Sequence, residues 1–152
     1  MSSSLGLRLD VAKGFVLDRV MLAAPSAQPR QVFAVGLNYV EHARESGVGL
    51  AAEPAVFTKF PSSVTGPDTV VELPTDTVDF EAELVRRNRP VRHRVSEAAA
   101  WDHVAGLTVG QDISERTRQL LGPAPQFSLG KTFPGFSPIG PWLVMPDELA
   151  GP

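Results

Sequence analysis

Apolar residues along this chain come in short runs, broken every few positions by proline or glycine. That punctuation favours many short strands over long helices. Val32 to Leu37 is continuous, apolar and β-branched, which predicts a buried strand. Residues 5–22 read as one or two weak strands, and Pro25 to Pro29 as a connector. Tyr39 to Glu45 is expected as a short helix or helical turn. Ala55 to Phe60 alternates like a strand, and Val70 to Leu73 is another that Pro74 ends. Val78 to Val85 alternates with period two and reads as one strand. Ser96 can cap a helix running to about Val104, with Glu97 favourable in its first turn. Leu107 to Val109 leads as a strand into Gly110-Gln111-Asp112. Ser114 can cap a second helix that Gly122 ends, and Trp142 to Val144 forms a last strand. The predicted fold class is mixed α/β, mostly β, with a rolled or sandwiched sheet.

Composition narrows the function classes without choosing one. The chain has 152 residues, 43% of them apolar and 20% charged, which suits one domain with a core. A net charge of −3 gives no general reason to expect a nucleic acid or a membrane as partner. Cysteine is absent, which excludes disulfides, thiolate metal sites and a cysteine nucleophile. No apolar run is long enough to span a bilayer, and Met1-Ser2-Ser3-Ser4 does not read as a secretory signal. A cytoplasmic enzyme or binding domain fits this composition.

The chemistry concentrates in a few places. Glu81 and Glu83 are two apart, so on one strand they share a face. Side by side they repel unless a cation lies between them, and a hard divalent ion takes such oxygens. Asp79 extends that face. A solvated strand face with alternating charge is the commoner meaning of Glu-x-Glu alone. Asp112 falls at a predicted strand end, where functional groups are frequent, although a turn aspartate explains it equally well. Three carboxylates without cysteine favour Mg²⁺, Mn²⁺ or Ca²⁺ over zinc. His42 and Glu45 are three apart on one helical face, an arrangement that suits a general base and also occurs as an ordinary surface pair. Lys131, in Gly130-Lys131-Thr132, can stabilise an oxyanion. The upstream glycine of a phosphate loop is missing, since position 125 is Pro125. Lys59 is a second candidate cation or an edge-strand lysine. Arg86, Arg87, Arg89, Arg92 and Arg94, with His93, form a basic run best read as a solvated loop, because no aromatic is interleaved.

Taken in order, these segments resemble the fumarylacetoacetate hydrolase family. The resemblance is carried by Val35-Gly36-Leu37-Asn38-Tyr39 with His42 and Glu45, then Phe57-Thr58-Lys59-Phe60-Pro61-Ser62-Ser63. Asp79-Phe80-Glu81-Ala82-Glu83-Leu84, Gln111-Asp112-Ile113-Ser114-Glu115-Arg116, Gln119, Gly130-Lys131-Thr132-Phe133 and Pro138-Ile139-Gly140-Pro141-Trp142-Leu143-Val144 follow in family order. The resemblance implies a β-sheet roll, a homodimer in the full-length form, and Mg²⁺ or Mn²⁺ as cofactor. Members hydrolyse or decarboxylate 1,3-dicarbonyl and 2-oxo acids, or isomerise 2-hydroxy-dienoates. Carried over, Glu81, Glu83 and Asp112 would hold the metal. His42, oriented by Glu45, would move a proton, and Lys131 would stabilise the oxyanion. Arg116, Gln119 and Lys59 would bind the small-molecule oxo-acid.

Two departures qualify this expectation. Residues 1–30 read as an N-terminal extension and 31–152 as the first and central part of a catalytic domain that normally continues for roughly another hundred residues, in line with a domain of typical size. A chain so shortened is expected to have little activity alone, and a non-catalytic member that only binds metal or oxo-acid is the alternative reading. The second departure is Arg86-Arg87-Asn88-Arg89, where members usually run Val-Val-Ile-Gly in a buried strand. Burying three arginines would cost many kcal/mol unless they were paired, so paired compensating frame shifts are the expected origin of the run.

Overall fold

A computed structural model describes residues 21–45, 47, 49, 53–89 and 93–149. The expected strands over residues 5–22 lie almost entirely outside the described residues, as does Arg92. The elements are β1 (Val32–Gly36), α1 (Val40–Glu45), β2 (Ala55–Lys59), β3 (Val64–Thr65), β4 (Val78–Asp79), β5 (Ala82–Asn88), β6 (Val104–Gln111), β7 (Ser114–Glu115), α2 (Arg116–Gln119), α3 (Phe127–Gly130) and β8 (Ser137–Val144). The described chain is mostly β with a few short helices, as the punctuation predicts.

A four-stranded sheet in the order β3-β8-β6-β5 is the scaffold. β3 runs parallel to β8, and β6 runs antiparallel to both of its neighbours, β8 and β5. β1 and β2 form a separate antiparallel ribbon, and β4 pairs with β7. Beside the sheet, α2 packs on α3, and α3 on β2. Between β1 and α1 the chain turns sharply through Leu37, whose φ of 56° lies in the left-handed region. A non-glycine residue there costs about 1–2 kcal/mol, so neighbouring contacts must impose that turn.

Several boundaries differ from the sequence expectation. The segment Val78 to Val85 is two strands, because β4 pairs with β7 whereas β5 pairs with β6. Val70 to Leu73 is not a strand, and Val70 stands exposed. The helix expected after Ser96 is two short 3₁₀ turns, Glu97–Ala99 and Trp101–His103. Ser114 lies in β7, and the residue that caps α2 is Glu115. The helix ends at Gln119, ahead of Gly122. β1 is only half-buried, with Phe33 and Val35 exposed, against the buried strand expected. Arg86 and Arg87 stand exposed on β5 and Arg89 is exposed beyond it, so the basic run begins as a strand and pays no burial cost.

Among the described residues, five apolar side chains are buried against nine polar or charged ones. Phe136, Val104, Leu107, Ile113 and Ala43 make the apolar part. Lys59, Asp112, Ser114, Glu115, Gln119 and Lys131 are among the polar part. The interior is therefore as much a site as a core, since buried polar groups are expensive unless they satisfy one another.

Candidate active site

The strand register builds the carboxylate pair. Asp112 N donates to Glu81 O at 2.9 Å where β6 leaves β5, so the two residues are cross-strand neighbours. Glu83, opposite Gly110, is two residues along from Glu81 and partly buried. Lys131 Nζ donates to Glu81 Oε1 at 2.9 Å, Asp112 Oδ2 at 2.8 Å and Ser114 Oγ at 2.6 Å. Its ammonium also lies 5.4 Å from the centre of the Phe57 ring, within cation–π range. Lys59 Nζ donates to Asp112 Oδ1 and, at 2.9 Å, to Phe136 O. Lys59, the last residue of β2, is thus a buried ion-pair partner and not a solvated edge-strand lysine.

Arg116 opens α2 and reaches back across the same group. It contacts Asp79 Oδ2 at 2.8 Å, Glu81 Oε1 at 2.7 Å and Gln119 Oε1 at 3.0 Å. Asp79 therefore serves the arginine, and the break at Phe80–Glu81 removes it from the strand face of Glu81 and Glu83. Gly130 makes this packing possible. A Cβ there would lie 2.5 Å from Gln119 N and 2.6 Å from its Cα, so only glycine lets α3 approach α2 and deliver Lys131.

Charge on these groups follows from their surroundings. Burial pushes Glu81 up, but its hydrogen bond to Lys131, the Lys131 charge and Arg116 outweigh this, and its carboxyl sits below the ordinary value. Glu83 is pushed up, first by burial and then by the negative charges of Glu81 and Asp112. Lys131 and His42 act on Glu83 in the opposite direction. Lys59 is pushed down by burial, against the attraction of Asp112.

The structure brings together Glu81, Asp112, Lys59, Lys131, Arg116 and Gln119, with Glu83 two residues along from Glu81 and His42 on α1. Glu45 ends α1 exposed. Ser114 and Glu115 were missed as site residues by sequence reasoning. Ser114 lies two residues past Asp112, a spacing that could have put its hydroxyl on the carboxylate face.

Among the described residues, no three His, Cys, Asp or Glu side chains are grouped closely enough to hold a metal ion. The donor set nevertheless suits a hard cation. The candidate ligands are all carboxylate oxygens and Glu83 has no Lys or Arg partner among the described residues, although the Lys131 ammonium already neutralises Glu81 and Asp112.

Residues 31–152 match the family described as Fumarylacetoacetate (FAA) hydrolase, C-terminal, and the chain is a member of it. It is 39% identical over 137 residues to a mitochondrial oxaloacetate tautomerase of Xenopus laevis, covering 89% of this chain and 43% of that protein. A crystal structure assigned as an HpcE protein, from Mycobacterium smegmatis, is 55% identical with a TM-score of 0.78, over 88% of this chain and 48% of that one. The 2-hydroxyhepta-2,4-diene-1,7-dioate isomerase of Mycobacterium marinum is 30% identical with a TM-score of 0.74, over 90% of this chain and 50% of that one. The chain spans about half the length of these relatives. No helix among the described residues is long and apolar enough to cross a membrane.

Proposed function

We propose that the protein is a metal-dependent enzyme of small-acid catabolism, acting on 2-oxo or 1,3-dicarbonyl acids by C–C bond hydrolysis, decarboxylation or isomerisation. One observation carries the reading: a buried lysine ammonium held by two carboxylates and a serine, with an arginine–glutamine pair beside it. Buried charge of both signs is costly to maintain, and perturbed titratable groups collect where chemistry occurs. The relatives' names, an oxaloacetate tautomerase and a dienoate isomerase, point to enol–keto chemistry on small acids.

Glu81, Glu83 and Asp112 would hold Mg²⁺ or Mn²⁺, which when bound supplies positive charge that favours an enolate. The three N–H donors of Lys131 are held by Glu81, Asp112 and Ser114, so one of them released to a substrate oxygen would stabilise developing negative charge. The planar guanidinium of Arg116 suits a substrate carboxylate, and Gln119 beside it holds that guanidinium in orientation. His42 moves the proton, with Glu45 on the same helical face.

The test is to supply Mn²⁺ to this segment carried within a full-length family domain and assay oxaloacetate tautomerisation, oxaloacetate decarboxylation and acylpyruvate cleavage, with Glu83→Ala alongside. Metal-dependent turnover of at least one substrate is expected, together with a loss in Glu83→Ala of about tenfold or more in Mn²⁺ affinity by calorimetry. No turnover in any assay, or unchanged Mn²⁺ affinity in the variant, overturns the reading.

A further inference from the structure

Glu115 is a buried carboxylate that the chemistry above does not use. Its Oε1 accepts from Thr75 Oγ1 at 2.9 Å, from Thr77 Oγ1 and from Thr117 N at 3.2 Å. Its Oε2 accepts from Arg118 N at 2.5 Å. Four donors nearly saturate a carboxylate, which has room for about four. Oε1 is fully taken and Oε2 is turned to the α2 backbone, so Glu115 acts through its neighbours.

Those neighbours close a loop around Arg116. The backbone N of Arg116 donates to Thr77 O at 3.0 Å, and its guanidinium holds Asp79 Oδ2 at 2.8 Å. Arg116 is therefore fastened at both ends to the segment Thr77–Asp79. Glu115 fastens that segment through Thr75 and Thr77, and fastens the first turn of α2 through two backbone N–H groups. The pairing of β4 with β7 completes the clamp, with Val78 opposite Glu115 and Asp79 opposite Ser114.

We propose that Glu115 is a positioning residue that fixes Arg116, and with it Gln119, at the orientation needed to bind the carboxylate of an oxo-acid. The inference rests on the function proposed above. An arginine with several rotatable bonds loses affinity for a planar anion when its fork is free to swing, and a clamp removes that freedom before the ligand arrives. Glu115 therefore sets substrate affinity, whereas the reacting atoms answer to Lys131 and the carboxylates.

Two variants divide the clamp. Glu115→Asp keeps a good cap on α2 but draws the carboxylate back from the threonines. Thr77→Val removes one donor and leaves the cap intact, and it carries the test if Glu115→Asp does not fold. With the Mn²⁺-loaded full-length domain carrying this segment and oxaloacetate as substrate, both variants are expected to raise KM about tenfold and to leave kcat within about twofold. Oxalate, used as a probe in calorimetry, is expected to bind about tenfold more weakly to both. In an Arg116→Ala background, Glu115→Asp is expected to have no further effect on oxalate affinity, because the clamp then has nothing to hold. A fall in kcat at unchanged KM, no change in either constant, or an undiminished effect in the Arg116→Ala background each overturns the inference. Wild-type protein that neither turns over oxaloacetate nor binds oxalate overturns the function reading itself, and the inference falls with it.

Discussion

Gly130→Ala places one methyl group where the structure has no room for it. The new Cβ would lie 2.5 Å from Gln119 N, 2.6 Å from Gln119 Cα and 2.7 Å from Gln119 Cβ. The first two are backbone atoms and cannot rotate away. Ordinary contact needs roughly 3.5 Å, so α3 must retreat from α2 by about 1 Å. Lys131 follows Gly130 directly, and its contacts to Glu81 and Asp112 stand at 2.9 and 2.8 Å. A retreat of that size stretches both beyond hydrogen-bond range. Overpacking costs about 1–3 kcal/mol, which for a chain of this length lowers Tm by about 2–4 °C per kcal/mol. The chemical loss should be larger, because a catalytic group misplaced by about 1 Å can cost about a hundredfold in rate. Differential scanning calorimetry and steady-state kinetics on oxaloacetate with Mn²⁺ separate the two effects. A variant that melts with the wild type and turns over at its rate would show that α3 does not hold Lys131 as argued.

Two other outcomes follow from buried charge. Lys59→Ala leaves Asp112 Oδ1 and Phe136 O without their donor, and urea denaturation should register a loss of about 3–5 kcal/mol; a loss below about 1 kcal/mol on the same scale refutes the structural importance of the pair. Asp79, Glu81 and Glu115 all sit below ordinary carboxylate values in the folded chain. The stability they contribute is present in full above the unfolded carboxylate range and is lost as pH falls through their lowered folded values. Thermal melts below about pH 4.5 should therefore steepen with acid, and Glu115→Gln, which cannot titrate, should flatten that limb.

What the sequence discloses and what it conceals divide along contact range. The strands around β2, β6 and β8 follow from local alternation and punctuation, and α1 lies within one residue of its expected start. The break between β4 and β5 is invisible to the pattern, because alternation of period two runs straight through Phe80 and Glu81 while the pairing partner changes. Val70 to Leu73 has the composition of a strand and no partner in either sheet or ribbon, and composition does not report partners. Lys59 reads locally as an edge lysine because the carboxylate that neutralises it is 53 residues away. Ser114 reads locally as a cap, and its bond to Lys131 spans a loop that no local rule describes. The carboxylates were legible because Glu83 lies on β5, Glu81 just before it, and Asp112 just past the end of β6.

The least comfortable feature of the site leads to a prediction of opposite signs. Lys131 stands between Glu81 and Asp112, two of the three oxygens assigned to a divalent ion. An ammonium and a divalent cation cannot share one position, and like charges about 4 Å apart repel by roughly 4 kcal/mol per unit charge at the effective dielectric of a protein surface. If Glu81, Glu83 and Asp112 hold a divalent ion, the Lys131 head group would compete with it for Glu81 and Asp112. Lys131→Met keeps the length and apolar stem of the side chain and removes the charge. The wild-type ammonium is also hydrogen-bonded and partly compensated, so only a fraction of the repulsion is recovered. Calorimetry with Mn²⁺ should show affinity rising about tenfold in the variant. Turnover should nevertheless fall about a hundredfold or more, since the oxyanion loses its donor. Metal affinity that falls together with turnover would mean that Lys131 supports the metal ligands instead of opposing the ion, and would refute its assignment to the oxyanion.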